Sequence, residues 1–198
     1  PAFEPAQRAR TLVRINAVGT PWHADDLRML AQWAGRGLGG VMVPKAEAPA
    51  ALNAIANALG EDARLVPLIE SLEGFDAMNL IARAPQVVRL AFGHLDFQLD
   101  MGMRCSPEEG ELAPVRLAVV AASRRAQLAA PIDGVTTDAR NAERTAADAR
   151  RARGFGFGAK LCIHPDQVAP VHGVFSVTPE ELEWARRVVE ADRQHHGQ

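Results

Sequence analysis

Four charged residues and an asparagine stand at or just beyond the C-terminal ends of short apolar runs. Arg14 and Asn16 lie in residues 12–16 (LVRIN), Lys45 follows 40–44 (GVMVP), Glu70 closes 65–70 (LVPLIE), and Asp96 comes three residues after 88–93 (VRLAFG). Two carboxylates on neighbouring runs offer hard oxygen ligands. Such a pair suits Mg2+, which keeps several waters and takes its remaining oxygens from a substrate. An arginine beside them could clamp a carboxylate or an oxyanion through its planar fork. Lys45 could meet a phosphate or carboxylate, or simply be solvated. Acidic groups are also stabilised at helix N-termini, so Glu70 and Asp96 could instead be helix caps, and residue type and spacing leave both readings open.

The runs that carry these residues must be strands for the residues to converge. Each is four to six residues of mostly Val, Ile and Leu without polar alternation, as expected of strands buried on both faces of a parallel sheet. Two more such runs follow, 132–136 (IDGVT) and 160–163 (KLCI). Helical spacing appears between them, at 23–35 (Leu27, Leu30, Trp33) and 48–59 (Leu52, Ile55, Leu59), and in the Ala- and Arg-rich stretches 112–129 and 141–153. Thr178-Pro179-Glu180-Glu181 supplies an N-cap hydroxyl, a first-turn proline and a capping-box glutamate, so a helix is expected over 179–193, with 194–198 fraying. Six strands in 198 residues give one per 33, the length of a β/α unit. In parallel α/β folds the C-terminal strand edge carries the site. A closed barrel of eight units needs roughly 250 residues, so the expectation is a single α/β domain over 1–198 that is two units short of closure.

Composition narrows the function. The formal charge is −2 with no basic excess, which argues against a nucleic-acid partner. No apolar run reaches membrane-span length, the first ten residues have no signal-peptide core, and Cys105 and Cys162 are far apart, so a reduced, cytoplasmic protein is expected. Two glycine-rich stretches fail as phosphate loops. Residues 35–40 precede a strand where a helix is needed, and in 154–160 Ala159 and Leu161 break the P-loop pattern, so both read as helix caps and turns. His94 could shuttle a proton but reads better as a loop histidine with a structural hydrogen bond. His164 should fix its Ile-His-Pro turn through the backbone, and Cys162 should be a small core residue. Trp22 and Trp33 should pack helices or a subunit contact.

The segments VRINAVGTPWHADDL, GVMVPKAE, PLIESLEGF, LAFGHLDFQLDMG, IDGV and GFGAKLCIHPDQV, in this order, resemble the citrate lyase β-subunit-like branch of the HpcH/HpaI aldolase superfamily. The resemblance covers nearly the whole chain. It implies a (β/α)8 TIM barrel of the phosphoenolpyruvate/pyruvate type and a Mg2+-dependent carbon–carbon lyase acting on a hydroxyacyl-CoA such as citryl-CoA or malyl-CoA. By that similarity Glu70 and Asp96 are the metal ligands. Arg14 is catalytic and holds substrate, and Lys45 and Glu70 face substrate. The resemblance also implies a homo-oligomer, relatives forming trimers or larger rings. The family's opening LFVPG-type strand and acidic L-E-D strand are not found before Leu12, and Ala159 stands where relatives often carry glycine. The chain is therefore expected to start at the family's third strand. Two other readings stay open: an aldolase acting on a free hydroxy-oxo acid, and a non-catalytic remnant that binds acyl-CoA or a partner.

Overall fold

In the computed structural model, which describes residues 4–195, six parallel strands stand side by side in chain order. They are β1 (Leu12–Arg14), β2 (Gly40–Val43), β3 (Leu65–Ile69), β4 (Ala91–Phe92), β5 (Ile132–Asp133) and β6 (Ala159–Lys160). Every apolar run singled out in the sequence forms a strand. The ladders are shorter than the runs because the chain turns away at the rim, although single bonds continue them. The Ile15 amide donates to the Met42 carbonyl at 3.1 Å and the Leu161 amide to Asp133 at 2.9 Å.

Nine helices are described: α1 (Pro5–Arg8), α2 (His23–Ala34), α3 (Pro49–Leu59), α4 (Leu72–Ile81), α5 (His94–Asp100), α6 (Ala113–Arg125), α7 (Ala142–Phe155), α8 (Val168–Phe175) and α9 (Pro179–His195). Strand residues alternate between two apolar layers. Val41, Val43, Leu65, Ile69 and Phe92 face the helices, where α3 contributes Leu52, Ile55, Ala56 and Leu59 from one helical face. Met42, Val66, Leu68, Ala91 and Ile132 form a second, smaller cluster on the other face, with Ala159 and Leu161 packed against it. Arg14 on β1 and Leu161 just after β6 line one cavity, so the sheet curls until its two edges look across a common hollow. This curl is that of a partial TIM-type barrel.

The C-terminal helix follows its sequence signals. Thr178 Oγ1 accepts the Glu181 amide at 3.2 Å and Glu181 Oε2 accepts the Thr178 amide at 3.0 Å, a reciprocal capping box. The helix extends to His195, two residues beyond expectation, and 196–198 lie outside the described residues. Side chains 179–194 are all exposed, and Arg153 anchors the helix start through Glu181 at 2.7 Å. Among the described residues no helix is long and apolar enough to cross a membrane.

Candidate active site

The strand register decides which side chains meet. Ile69 pairs with Phe92, so Glu70 and Gly93 emerge side by side at the C-terminal rim. Gly93 is followed by α5, whose first turn carries Asp96. Arg14, Glu70, Gly93, His94 and Asp96 line a cavity of about 160 Å³, whose apolar wall includes Leu68, Phe92 and Leu161. Three of the four charged residues singled out for chemistry therefore share one hollow. Lys45 does not line it: its side chain is exposed, and its contribution comes from the backbone. Lys45 holds the left-handed conformation at φ 44°, unusual for a residue with a side chain, and its amide donates to Glu70 Oε1 at 2.8 Å.

Glu70 is 6% exposed. Burial raises its pKa most. The Lys45 amide opposes that shift, while the neighbouring Asp96 carboxyl adds to it. Two carboxyls pressed together at a partly buried rim repel when both are ionised, and a divalent cation between them would offset that repulsion. The space beside Glu70 depends on glycine: a Cβ at Gly93 would stand 2.6 Å from Glu70 Cβ and 2.7 Å from Oε2. The donor set fits Mg2+. Among the described residues no group of three or more His, Cys, Asp or Glu is placed to hold a metal, so a hard cation here would keep its waters and take substrate oxygens. Gly93→Ala is expected to displace Glu70 and weaken Mg2+ binding at least tenfold in isothermal titration. Gly154→Ala, at a site with nothing within 4 Å of a new Cβ, should leave binding unchanged. Equal affinities for the two variants would show that the close approach at Gly93 does not set the carboxylate's place.

Behind the cavity lies a buried ionic network that sequence reasoning missed. His94 opens α5 with 1% exposure and stacks so tightly on Gly134 that a Cβ there would overlap its ring. Its Nε2 stands 3.2 Å from Glu109 Oε1, in contact but without the alignment of a hydrogen bond. Glu109 Oε2 accepts from Arg116 Nη2 at 2.5 Å and Arg151 Nη2 at 2.8 Å. Arg116, 1% exposed, donates through Nε to both oxygens of Asp133, at 3.1 and 3.3 Å. Lys160 Nζ donates to the Gly134 carbonyl at 2.7 Å, and burial pulls its pKa down. No fixed spacing links these partners, so only His94 could be singled out from the sequence.

Burial alone would raise the Glu109 pKa, but contact with His94 and then Arg116 outweighs it and holds the carboxyl at about 2. A carboxyl whose folded pKa lies below its unfolded value stabilises the fold above the unfolded pKa, and that stability is lost as pH falls through the folded one. Acid titration of Glu109→Gln against the wild type should therefore show a stability difference that is constant at neutral pH and shrinks between about pH 4.5 and 2. A difference independent of pH would contradict this.

His164 Nδ1 accepts the Asp166 amide at 3.2 Å, fixing its turn through the backbone as expected. Cys162 is exposed just beyond β6, not a core residue, because the strand ends at Lys160 and the chain turns outward. Trp33 packs against the core with Arg8 5.0 Å above its ring, while Trp22 is 61% exposed. Gly35 and Gly156 end α2 and α7, the latter at φ 101°, which accounts for both glycine-rich stretches.

A model of the HpcH/HpaI aldolase/citrate lyase family matches residues 1–165. The chain is 35% identical over 189 residues to the citrate lyase subunit beta-like protein of Deinococcus radiodurans, which covers 94% of this chain and 65% of that protein. It is 32% identical over 190 residues to the (3S)-malyl-CoA thioesterase of Cereibacter sphaeroides, with the same two coverages, 94% and 65%. The chain thus spans just under two thirds of the length of these curated relatives. Among solved structures, protein CitE from Mycobacterium tuberculosis in complex with magnesium, acetoacetate and coenzyme A is 31% identical and superposes with a TM-score of 0.75, over 98% of this chain and 70% of that one.

Proposed function

The chain belongs to the HpcH/HpaI aldolase/citrate lyase family, and from that premise we propose that it is part of a Mg2+-dependent lyase that cleaves a hydroxyacyl-CoA to acetyl-CoA and an oxo acid. The observation that carries this reading is the convergence of Glu70, Asp96 and Arg14 on one small cavity at the C-terminal rim. The same reading takes the six units as belonging to a (β/α)8 barrel of the phosphoenolpyruvate/pyruvate type. Glu70 and Asp96 would hold the cation, which when bound supplies Lewis acidity toward the substrate's hydroxyl and adjacent carboxylate.

The chain's own residues do the rest of what can be derived. The Lys45 amide fixes one Glu70 oxygen and leaves the other facing the cavity. Arg14, permanently charged, holds a substrate carboxylate or the oxyanion that forms, without depending on pH. Leu68, Phe92 and Leu161 exclude water from one wall, which strengthens these charge interactions. In the cleavage itself the hydroxyl loses its proton, its oxygen becomes the carbonyl of the oxo acid, and the electrons of the broken C–C bond pass to the thioester enolate. Protonation of that enolate gives acetyl-CoA. The described residues assign no general base.

The test is direct. The purified chain is incubated with Mg2+ and a panel of hydroxyacyl-CoA esters, and products are followed by mass spectrometry. Acetyl-CoA appearing in equal amount with an oxo acid supports the reading, and hydrolysis to free CoA or no product across the panel refutes it.

A further inference from the structure

The loop between α5 and α6 is held by arginines from two helices. The carbonyls of Pro107, Glu108 and Glu109 each accept from a different guanidinium, Arg144, Arg151 and Arg116 respectively, the last two at 2.9 and 3.4 Å. Glu109 itself is left-handed at φ 50°, a conformation that a residue with a side chain keeps only when its surroundings impose it. The result is a carboxylate whose Oε2 is held by α6 and α7 and whose Oε1 is turned toward α5. What it meets there is His94, two residues before Asp96 and on the same helical turn. The imidazole has no freedom to move away, because its other side rests on the Gly134 backbone, which Lys160 holds in turn.

We propose that Glu109 is a positioning residue for the site: acting through His94, it fixes the first turn of α5 so that Asp96 faces Glu70. Glu109 does not line the cavity of Glu70 and Asp96 but an adjoining hollow of about 460 Å³, so it touches neither carboxylate nor the reacting atoms. The inference rests on the cation reading of the proposed function, and it extends that reading to a residue outside the site. Partners one step behind metal ligands commonly change metal affinity by 10–100-fold, because they set the direction in which the ligand points.

The experiment uses Mn2+ as the probe, with affinity read by electron paramagnetic resonance of free Mn2+, on the wild type, Glu109→Gln, His94→Phe and the double variant. Deuterium exchange of α5 amides is read in parallel. Each single variant is expected to weaken Mn2+ binding at least tenfold, and the double variant to be no weaker than the worse single, because both break one connection. Exchange in α5 should rise while α2 and α3 stay unchanged. A Glu109 that only stabilised the fold would lower the melting temperature without this non-additive loss. Wild-type affinity in both single variants, or losses that multiply in the double, overturns the inference. Should Glu109→Gln fail to fold, His94→Phe, which keeps the ring and both arginines on Glu109, carries the test alone. A wild type that binds no Mn2+ refutes the cation reading, and α5 exchange then decides this one, an unchanged rate in His94→Phe overturning it.

Discussion

Glu70→Gln and Asp96→Asn are each expected to lower acetyl-CoA formation about a thousandfold or more while leaving the melting temperature unchanged or slightly raised. The two effects have one cause. Each substitution removes half of an acidic pair whose members repel, so the folded state gains or loses little, and buried Glu70 also sheds the cost of ionising in a partly desolvated place. The same substitution takes away a hard ligand and with it several kcal/mol of charge stabilisation in the cleavage step, where about 4 kcal/mol is a thousandfold in rate. Opposite signs for activity and stability are common where a site is built for function over fold. Activity lost together with a large drop in melting temperature would mean that the pair is structural, and full activity in either variant would remove the cation from the account.

Arg116→Met is expected to be the most destabilising single change near the site, by about 3–5 kcal/mol, a midpoint shift on the order of 10 °C. Arg116 is buried and donates to the carboxylate of Asp133, which is itself fully buried at the end of β5. Removing the guanidinium leaves Asp133 charged in the interior with no hydrogen-bonding cation, whereas Glu109 keeps Arg151. The companion variant isolates the cause. Adding Asp133→Asn to Arg116→Met should recover part of the loss, since a neutral amide costs far less to bury unpaired than a carboxylate. If the double variant is less stable than the single, the penalty lies in lost packing of Arg116 against Phe92, 5.9 Å from its ring centroid, and not in the orphaned charge.

The sequence was most legible where a physical constraint acts locally. An apolar run without alternation has few places to go except a doubly buried strand, so all six strands could be read, and with them the rim on which Arg14, Glu70 and Asp96 stand. The capping box at Thr178 and Glu181 is equally local. Short helices were harder. α5 has only seven residues and α8 has eight with Pro170 inside, too little for a periodic signal against the background of a loop. Lys45 shows a different limit, because residue type advertises a side chain while the structure uses an amide set by a left-handed backbone. Least legible was the ionic network. Glu109 and Arg151 meet across 42 positions, and nothing in the residues between them records that pairing.

Whether Glu70 and Asp96 share one divalent cation is read from anomalous diffraction at the manganese edge, on crystals of this chain soaked in Mn2+. A single strong peak per chain is expected, within coordination distance of a carboxylate oxygen from both Glu70 and Asp96 and near Arg14. A peak bound by only one of the two, or none at the rim while the ion occupies another place, would contradict it.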